Sequence, residues 1–165
     1  MTTTVEGARD SGWTPLALSI AFCELAGIVP GVLTAEDVAT WYQTLDQPSF
    51  TPPDWVFGPV WTLLFGLMGI SLYLVRRDGR GSDRRSALGA FTVQLGLNVA
   101  WTLIFFGRHA IFGGLLVIAG LWVAIVTTIL AFARVNRRAA LLLVPYLLWV
   151  SFASALNFEI WRLNG

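Results

Sequence analysis

Apolar residues run along this chain in five long segments that short polar stretches separate. The segments lie near residues 13–33, 54–75, 86–106, 110–133 and 139–162. As an α-helix with a rise of about 1.5 Å per residue, each can cross a hydrocarbon core about 30 Å thick. The short alternating segments of a membrane β-barrel are missing from the pattern, so α-helices remain as the spanning structure. The pattern predicts an all-α integral membrane protein built as a bundle of five transmembrane helices.

The composition fits a membrane protein. Hydrophobic residues make up 56% of the 165 residues and charged residues only 13%, whereas soluble domains carry about 25% charged residues. We expect residues 13–165 to form a single transmembrane domain and the small, polar residues 1–12 to be disordered. The one cysteine, Cys23, lies inside the first apolar segment, so an intrachain disulfide is excluded.

The arginines predict the orientation. Eight of the eleven lie in the connections after the second and fourth segments, at Arg76, Arg77, Arg80, Arg84, Arg85, Arg134, Arg137 and Arg138. Because positively charged loops stay in the cytoplasm, we expect the N-terminus inside and the C-terminus outside, in the cell membrane. Basic loops also occur in nucleic-acid-binding proteins, but topology is the preferred interpretation here, and we expect no nucleic-acid partner.

The connection between the first two segments, residues 34–53, is called the first loop below. Pro48, Pro52 and Pro53 fix their own backbone φ angles and push the preceding residues towards extended conformations. Three tryptophans and a tyrosine follow one another closely from Trp41 to Trp61. We therefore expect a structured loop that covers one end of the bundle.

Aromatic and amide side chains share helix faces at helical spacing. In the second segment Phe57, Trp61 and Phe65 form one stripe, which favours either packing or a ligand site. In the third, Gln94, Asn98, Trp101 and Phe105 share a face, and in the fifth, Trp149, Phe152 and Asn157 do so. Amides avoid lipid, so these faces must point into the bundle. Together they predict an aromatic-lined cavity beneath the first loop, suited to a flat, largely apolar ligand.

Three further positions leave alternatives open. Glu24 lies near the middle of the first segment and is either a functional group or a carboxyl satisfied inside the bundle. His109 is the only histidine, which excludes a multi-histidine metal site and leaves an axial haem ligand or an interfacial residue. Gly96 and Ala100 form a small-xxx-small pair that suits close packing within or between subunits.

Three blocks of residues resemble the TspO/MBR family, whose members are also called translocator proteins, tryptophan-rich sensory proteins or peripheral-type benzodiazepine receptors. The blocks are Pro48-Ser49-Phe50-Thr51-Pro52-Pro53 with Gly58-Pro59-Val60-Trp61, then Gln94…Asn98…Trp101…Phe105-Phe106-Gly107, and Pro145-Tyr146…Trp149…Phe152-Ala153…Leu156-Asn157. The resemblance implies a five-helix bundle, often dimeric, that binds porphyrins such as protoporphyrin IX beneath its first loop. It also implies that Trp101, Trp149 and Ala153 contact the ligand.

Two positions depart from the family pattern. Phe50 replaces a tryptophan that is usual in the proline-rich motif, which removes one indole contact. The sterol motif of animal members requires a tyrosine where this chain has Phe158, so sterol binding is not expected.

The shared helix faces and the family resemblance together predict one set of ligand-binding residues and no metal site. The set is Trp41, Phe50, Pro52, Pro53, Phe57, Trp61, Gln94, Asn98, Trp101, Phe105, Trp149, Phe152, Ala153 and Asn157. The leading hypothesis is a membrane protein that binds tetrapyrroles for transport, storage or stress sensing, with porphyrin as ligand and no obligatory cofactor. The alternatives are an enzyme that degrades porphyrin in light through Trp61 and Trp149, as the resemblance implies, and a membrane interaction scaffold, with a homodimer through Gly96 and Ala100.

Overall fold

The computed structural model describes residues 12–165. Its helices are α1 (Trp13–Leu33), α2 (Ala35–Ala39), α3 (Asp54–Asp78), α4 (Gly81–Thr102), α5 (Ile111–Val135), α6 (Arg137–Leu142) and α7 (Val144–Asn164). A 3₁₀-helix covers Trp41–Thr44, and a π-helical turn, Leu103–Gly107, continues α4. Of the stretch that we expected to be disordered, residues 1–11 lie outside the described part of the chain.

Five helical stretches are long and apolar enough to cross a membrane. They are Trp13–Leu33, Asp54–Asp78, Gly81–Gly107, Ile111–Val135 and Arg137–Asn164. The prediction of an all-α, five-helix membrane protein is confirmed.

The arginine-rich connection after the second span is much shorter than its sequence suggested. Helix α3 continues to Asp78 and α4 begins at Gly81, so only two residues separate the helices. Arg76 and Arg77 lie in the last turn of α3, and Asp83 lies in the first turn of α4. Cations near a helix C-terminus and anions near an N-terminus interact favourably with the helix dipole, which accounts for the added turns.

The fifth span is divided between α6 and α7. Pro145 lies in the first turn of α7, where its fixed φ and missing N–H are tolerated. Asn136 caps α6 by accepting hydrogen bonds from the backbone N–H groups of Arg138 and Ala139, at 2.8 and 3.1 Å. The buried Ser71 hydroxyl of α3 donates to the Ala139 carbonyl at 2.7 Å. These contacts hold α6 against α3 at the end of the bundle opposite the first loop.

Helix α1 approaches α3 closely through two glycines. A Cβ atom at Gly69 would lie 2.4 Å from the Cα of Ile20, and one at Gly27 would lie 2.2 Å from the ring of Phe65. At Gly69, where the obstacle is backbone, only a residue without a side chain permits this approach. Most of the remaining surface of α1 is apolar and exposed, as a lipid-facing helix requires.

The first loop is folded over one end of the bundle. Within it, α2 and the 3₁₀-helix precede a proline-rich stretch without helix. Tyr42 packs edge-on against Phe106, with ring centroids 5.4 Å apart. The backbone N–H of Asp46 donates to the side chain of Asn164, which donates back to the Asp46 carbonyl, both at 2.9 Å. The loop is thereby attached to the ends of both α4 and α7, as the prediction of a structured cap required.

Candidate ligand-binding cavity

A cavity of about 480 Å³ lies beneath the first loop. Its walls come from α1, α3, the end of α4 with its π-helical turn, and α7, while α2 and Tyr42 cover it. Small-molecule sites in proteins measure about 300–1,000 Å³ and are mostly apolar. The size and composition of this cavity therefore suit an organic ligand.

Three tryptophans from three helices form much of the inner surface. The rings of Trp61 in α3 and Trp101 in α4 lie 6.3 Å apart, tilted by 38°. Trp149 in α7 packs edge-on against Phe57 at 5.9 Å. Trp61 and Trp101 therefore lie at similar depths in the bundle. Flat aromatic faces of this kind stack well on flat ligands.

Two amides on the cavity wall also hold the helices together. Asn98 donates from its Nδ2 to the hydroxyl of Tyr146 at 3.0 Å, which links α4 to α7. Asn157 accepts from the indole Nε1–H of Trp101 at 3.1 Å and donates to the carbonyl of Ile111 at 3.2 Å. Because these groups are already bonded within the protein, their main effect is to fix the orientation of Trp101 and Tyr146.

The structure brings eight of the fourteen candidate residues together around the cavity. These are Phe57, Trp61, Asn98, Trp101, Phe105, Trp149, Ala153 and Asn157. The other six candidates, Trp41, Phe50, Pro52, Pro53, Gln94 and Phe152, do not line it.

The candidates outside the cavity support its walls or the first loop. Trp41 stacks on His109, with ring centroids 4.4 Å apart, and Phe50 packs edge-on against Phe152. Gln94 is buried beside Met68, and its side-chain oxygen has no hydrogen-bond partner in the described chain. Gln94 shares a helix face with Asn98 but lies one turn further from the first loop, where that face meets α3 instead of the cavity.

Several lining residues were not in the candidate set. Helix α1 contributes Glu24, Gly27, Ile28 and Gly31, and the first loop contributes Tyr42. Burial and the nearby Asp54 carboxylate raise the pKa of Tyr42 to about 12. Glu24 had been noted for its depth, and Tyr42 belongs to the aromatic stretch of the loop, so both carried a signal. The small and aliphatic residues of α1 carried none.

The charged residues of the cavity lining are acidic. Among residues 12–165, Glu24 and Asp54 are the acidic residues of its lining, and no lysine, arginine or histidine contributes to it. The indole Nε1–H of Trp149 is buried and has no hydrogen-bond partner among residues 12–165. The cavity therefore offers a ligand a carboxyl group from α1.

The sequence over residues 19–162 matches the model of the TspO/MBR family. This chain belongs to the TspO/MBR family. It is 47% identical over 150 residues to the tryptophan-rich protein TspO of Chlorobaculum tepidum, covering 90% of this chain and 95% of that protein. It is 38% identical to the protein CrtK of Rhodobacter capsulatus, covering 92% of this chain and 93% of that protein. It is also 42% identical to the human translocator protein over 129 residues, or 75% of each chain. The family resemblance noted in the sequence is confirmed.

Proposed function

We propose that this TspO/MBR family member binds a tetrapyrrole of the protoporphyrin IX type in the cavity beneath its first loop. The observation that carries this proposal is the meeting of Trp61, Trp101 and Trp149 around one cavity of about 480 Å³. A flat macrocycle gains most from such a site because it can stack on several rings at once. Porphyrin is the ligand in this proposal, and no permanent cofactor is needed.

The biological role that we propose is porphyrin transport, storage or stress sensing. The names of two kinds of relative support it: the translocator protein, and the tryptophan-rich sensory protein of Cereibacter sphaeroides, which is 34% identical to this chain.

A titration in darkness tests the proposal. Purified protein titrated with protoporphyrin IX should show saturable quenching of tryptophan fluorescence, and Trp101→Ala and Trp149→Ala should each weaken binding. An aromatic contact contributes about 0.5–1.5 kcal/mol beyond burial, so each truncation should raise the Kd roughly 2- to 13-fold.

Trp55→Ala is the matched control, because Trp55 is 75% exposed and lies outside the cavity lining. It should leave the Kd unchanged. Normal binding by Trp101→Ala, Trp149→Ala and their double variant would contradict a ligand site in this cavity.

A second candidate function is light-driven oxidation of the bound porphyrin by dioxygen, in which electrons pass from the porphyrin to dioxygen and tryptophans act as redox-active relays. The specific observation in its favour is that Trp61 and Trp149 both line the cavity, in contact range of a bound macrocycle. Trp61→Phe and Trp149→Phe keep most of the ring area and remove the easily oxidised indole. Both variants should retain porphyrin and lose conversion under illumination. Conversion at the parental rate by both variants would exclude this function.

We also propose that the protein lies in the cell membrane with its N-terminus inside. Support comes from Arg76, Arg77 and Arg80, which lie at the end of the bundle opposite the first loop together with most other arginines. A reporter enzyme that works only outside the cytoplasm should be active when fused to the C-terminus. Activity of a cytoplasm-only reporter at that position would reverse the proposed orientation.

A further inference from the structure

Glu24 lines the cavity without a partner from the protein. It lies in α1, and the described residues provide its carboxyl group with neither a hydrogen bond nor an ion pair. On α3, a Cβ atom added at Gly66 would lie 3.5 Å from a Glu24 carboxyl oxygen. Glycine at position 66 leaves space beside the carboxyl group and offers it no side chain.

The depth of Glu24 makes its isolation costly. Nine residues separate it from the loop-side end of α1 at Leu33, or about 14 Å along the helix axis. A carboxylate at such a depth costs several kcal/mol if it faces lipid, and residues of this kind normally face a cavity or a partner. Glu24 is half-buried and faces the cavity, so a partner must be found there.

No side chain among residues 12–165 is hydrogen-bonded or ion-paired with Glu24. The other acidic residue of the lining, Asp54, lies at the start of α3 and accepts a hydrogen bond from Gln43 at 3.1 Å. The lining residues that the structure describes include no cation. A ligand that enters the cavity can supply the missing donor.

We propose that Glu24 is a specificity-determining residue that binds a nitrogen donor of the ligand, a protonated amine above all. This inference rests on the proposal that the cavity binds a flat aromatic ligand. Glu24 on α1 pairs with this donor. The ligand class is a planar aromatic molecule with a basic nitrogen towards α1, a class that goes beyond protoporphyrin IX, whose ionisable side groups are carboxylic acids.

The test uses two matched probes. One is a 2-phenylquinoline with a dimethylaminoethyl chain, and the other carries a 3-methylbutyl chain, in which a carbon replaces the amine nitrogen. Glu24→Gln keeps the size of the side chain and removes its charge. Because charge-assisted hydrogen bonds are among the stronger ones, we expect the variant to bind the amine probe roughly 10- to 100-fold more weakly. Binding of the carbon probe should change less than about twofold.

Glu36→Gln removes the same charge from α2 at an exposed residue outside the cavity lining, and it should leave both affinities unchanged. An equal loss for both probes in Glu24→Gln would show a purely structural role and overturn the inference, as would no loss for either. A protoporphyrin IX titration of the parent runs in parallel. Failure of that titration with selective loss of the amine probe would contradict the porphyrin proposal and leave the role of Glu24 standing.

Discussion

The closest backbone approach between α1 and α3 gives a quantitative prediction. Replacing Gly69 with alanine would place a Cβ atom 2.4 Å from the Cα and 2.8 Å from the backbone N of Ile20. Ordinary contacts of this type begin at 3.4 Å. Because both obstructing atoms belong to the backbone, a rotamer change cannot relieve the clash, and α1 must move away from α3.

The expected cost follows from two opposing effects. Overpacking of a well-packed core costs about 1–3 kcal/mol, and a backbone obstacle places Gly69→Ala near the upper end of that range. Alanine is the better helix former and returns about 0.5–1 kcal/mol. The free energy of unfolding should therefore fall by about 2–2.5 kcal/mol.

Denaturant unfolding of the purified protein in detergent, followed by circular dichroism, measures this change. The matched control is Gly120→Ala in the interior of α5, where an added Cβ atom meets nothing within 4 Å. That variant should be neutral or more stable by up to about 1 kcal/mol, because only the helix propensity changes. If Gly69→Ala is as stable as Gly120→Ala, the helices do not approach as closely as described and the α1 wall of the cavity is misplaced.

Three further predictions concern other surfaces. Gly96 lies on an open face of α4, so Gly96→Leu should shift a detergent-solubilised dimer towards monomer. Size-exclusion chromatography with light scattering measures the mass, and an unchanged mass would place any dimer interface elsewhere. The raised pKa of Tyr42 in the folded protein means that its hydroxyl ionises first in the unfolded chain. The free energy of unfolding should therefore fall as the pH rises from 10 to about 12, by about 1.4 kcal/mol per pH unit. Tyr42→Phe should lessen this fall. His109→Ala removes the 2.8 Å bond to Asp37 between the first loop and the turn before α5, so a bound porphyrin should dissociate about 2- to 13-fold faster in stopped-flow measurements. Equal rates in His109→Ala and in the neighbouring control Arg108→Ala would contradict that role.

Much of the fold was predictable because the membrane imposes simple requirements. Backbone groups in lipid must bond within a helix, so the lengths of the apolar segments were enough to find all five spans. The first loop was also predictable as a structured element, since Pro48, Pro52 and Pro53 limit its conformations. Its short helix α2 had no comparable signal, because five residues are too few to show helical periodicity.

The cavity was harder to predict than the helices that form it. Helical spacing shows which residues share a face, and it placed Gln94 with Asn98. It does not show where the neighbouring helix touches that face, and contact with Met68 places Gln94 in the core. The wall from α1 was missed for a related reason. Its direction depends on the close approach at Gly27 and Gly69, which only the packed structure reveals.

On the proposal above, ligand preference depends on the polar group of the cavity that the described residues leave without a partner, Glu24. Asn98 and Asn157 looked like ligand-facing amides, yet their hydrogen bonds hold the helices together. They join α4 to α7, and they join α7 to the Ile111 carbonyl at the start of α5. A ligand that bonded to them would have to replace existing bonds, with little net gain. Glu24 has no such bond to lose among the described residues. A ligand that bonds to Glu24 keeps the full benefit of that interaction, so this residue should discriminate among flat aromatic molecules that the tryptophans alone would bind about equally.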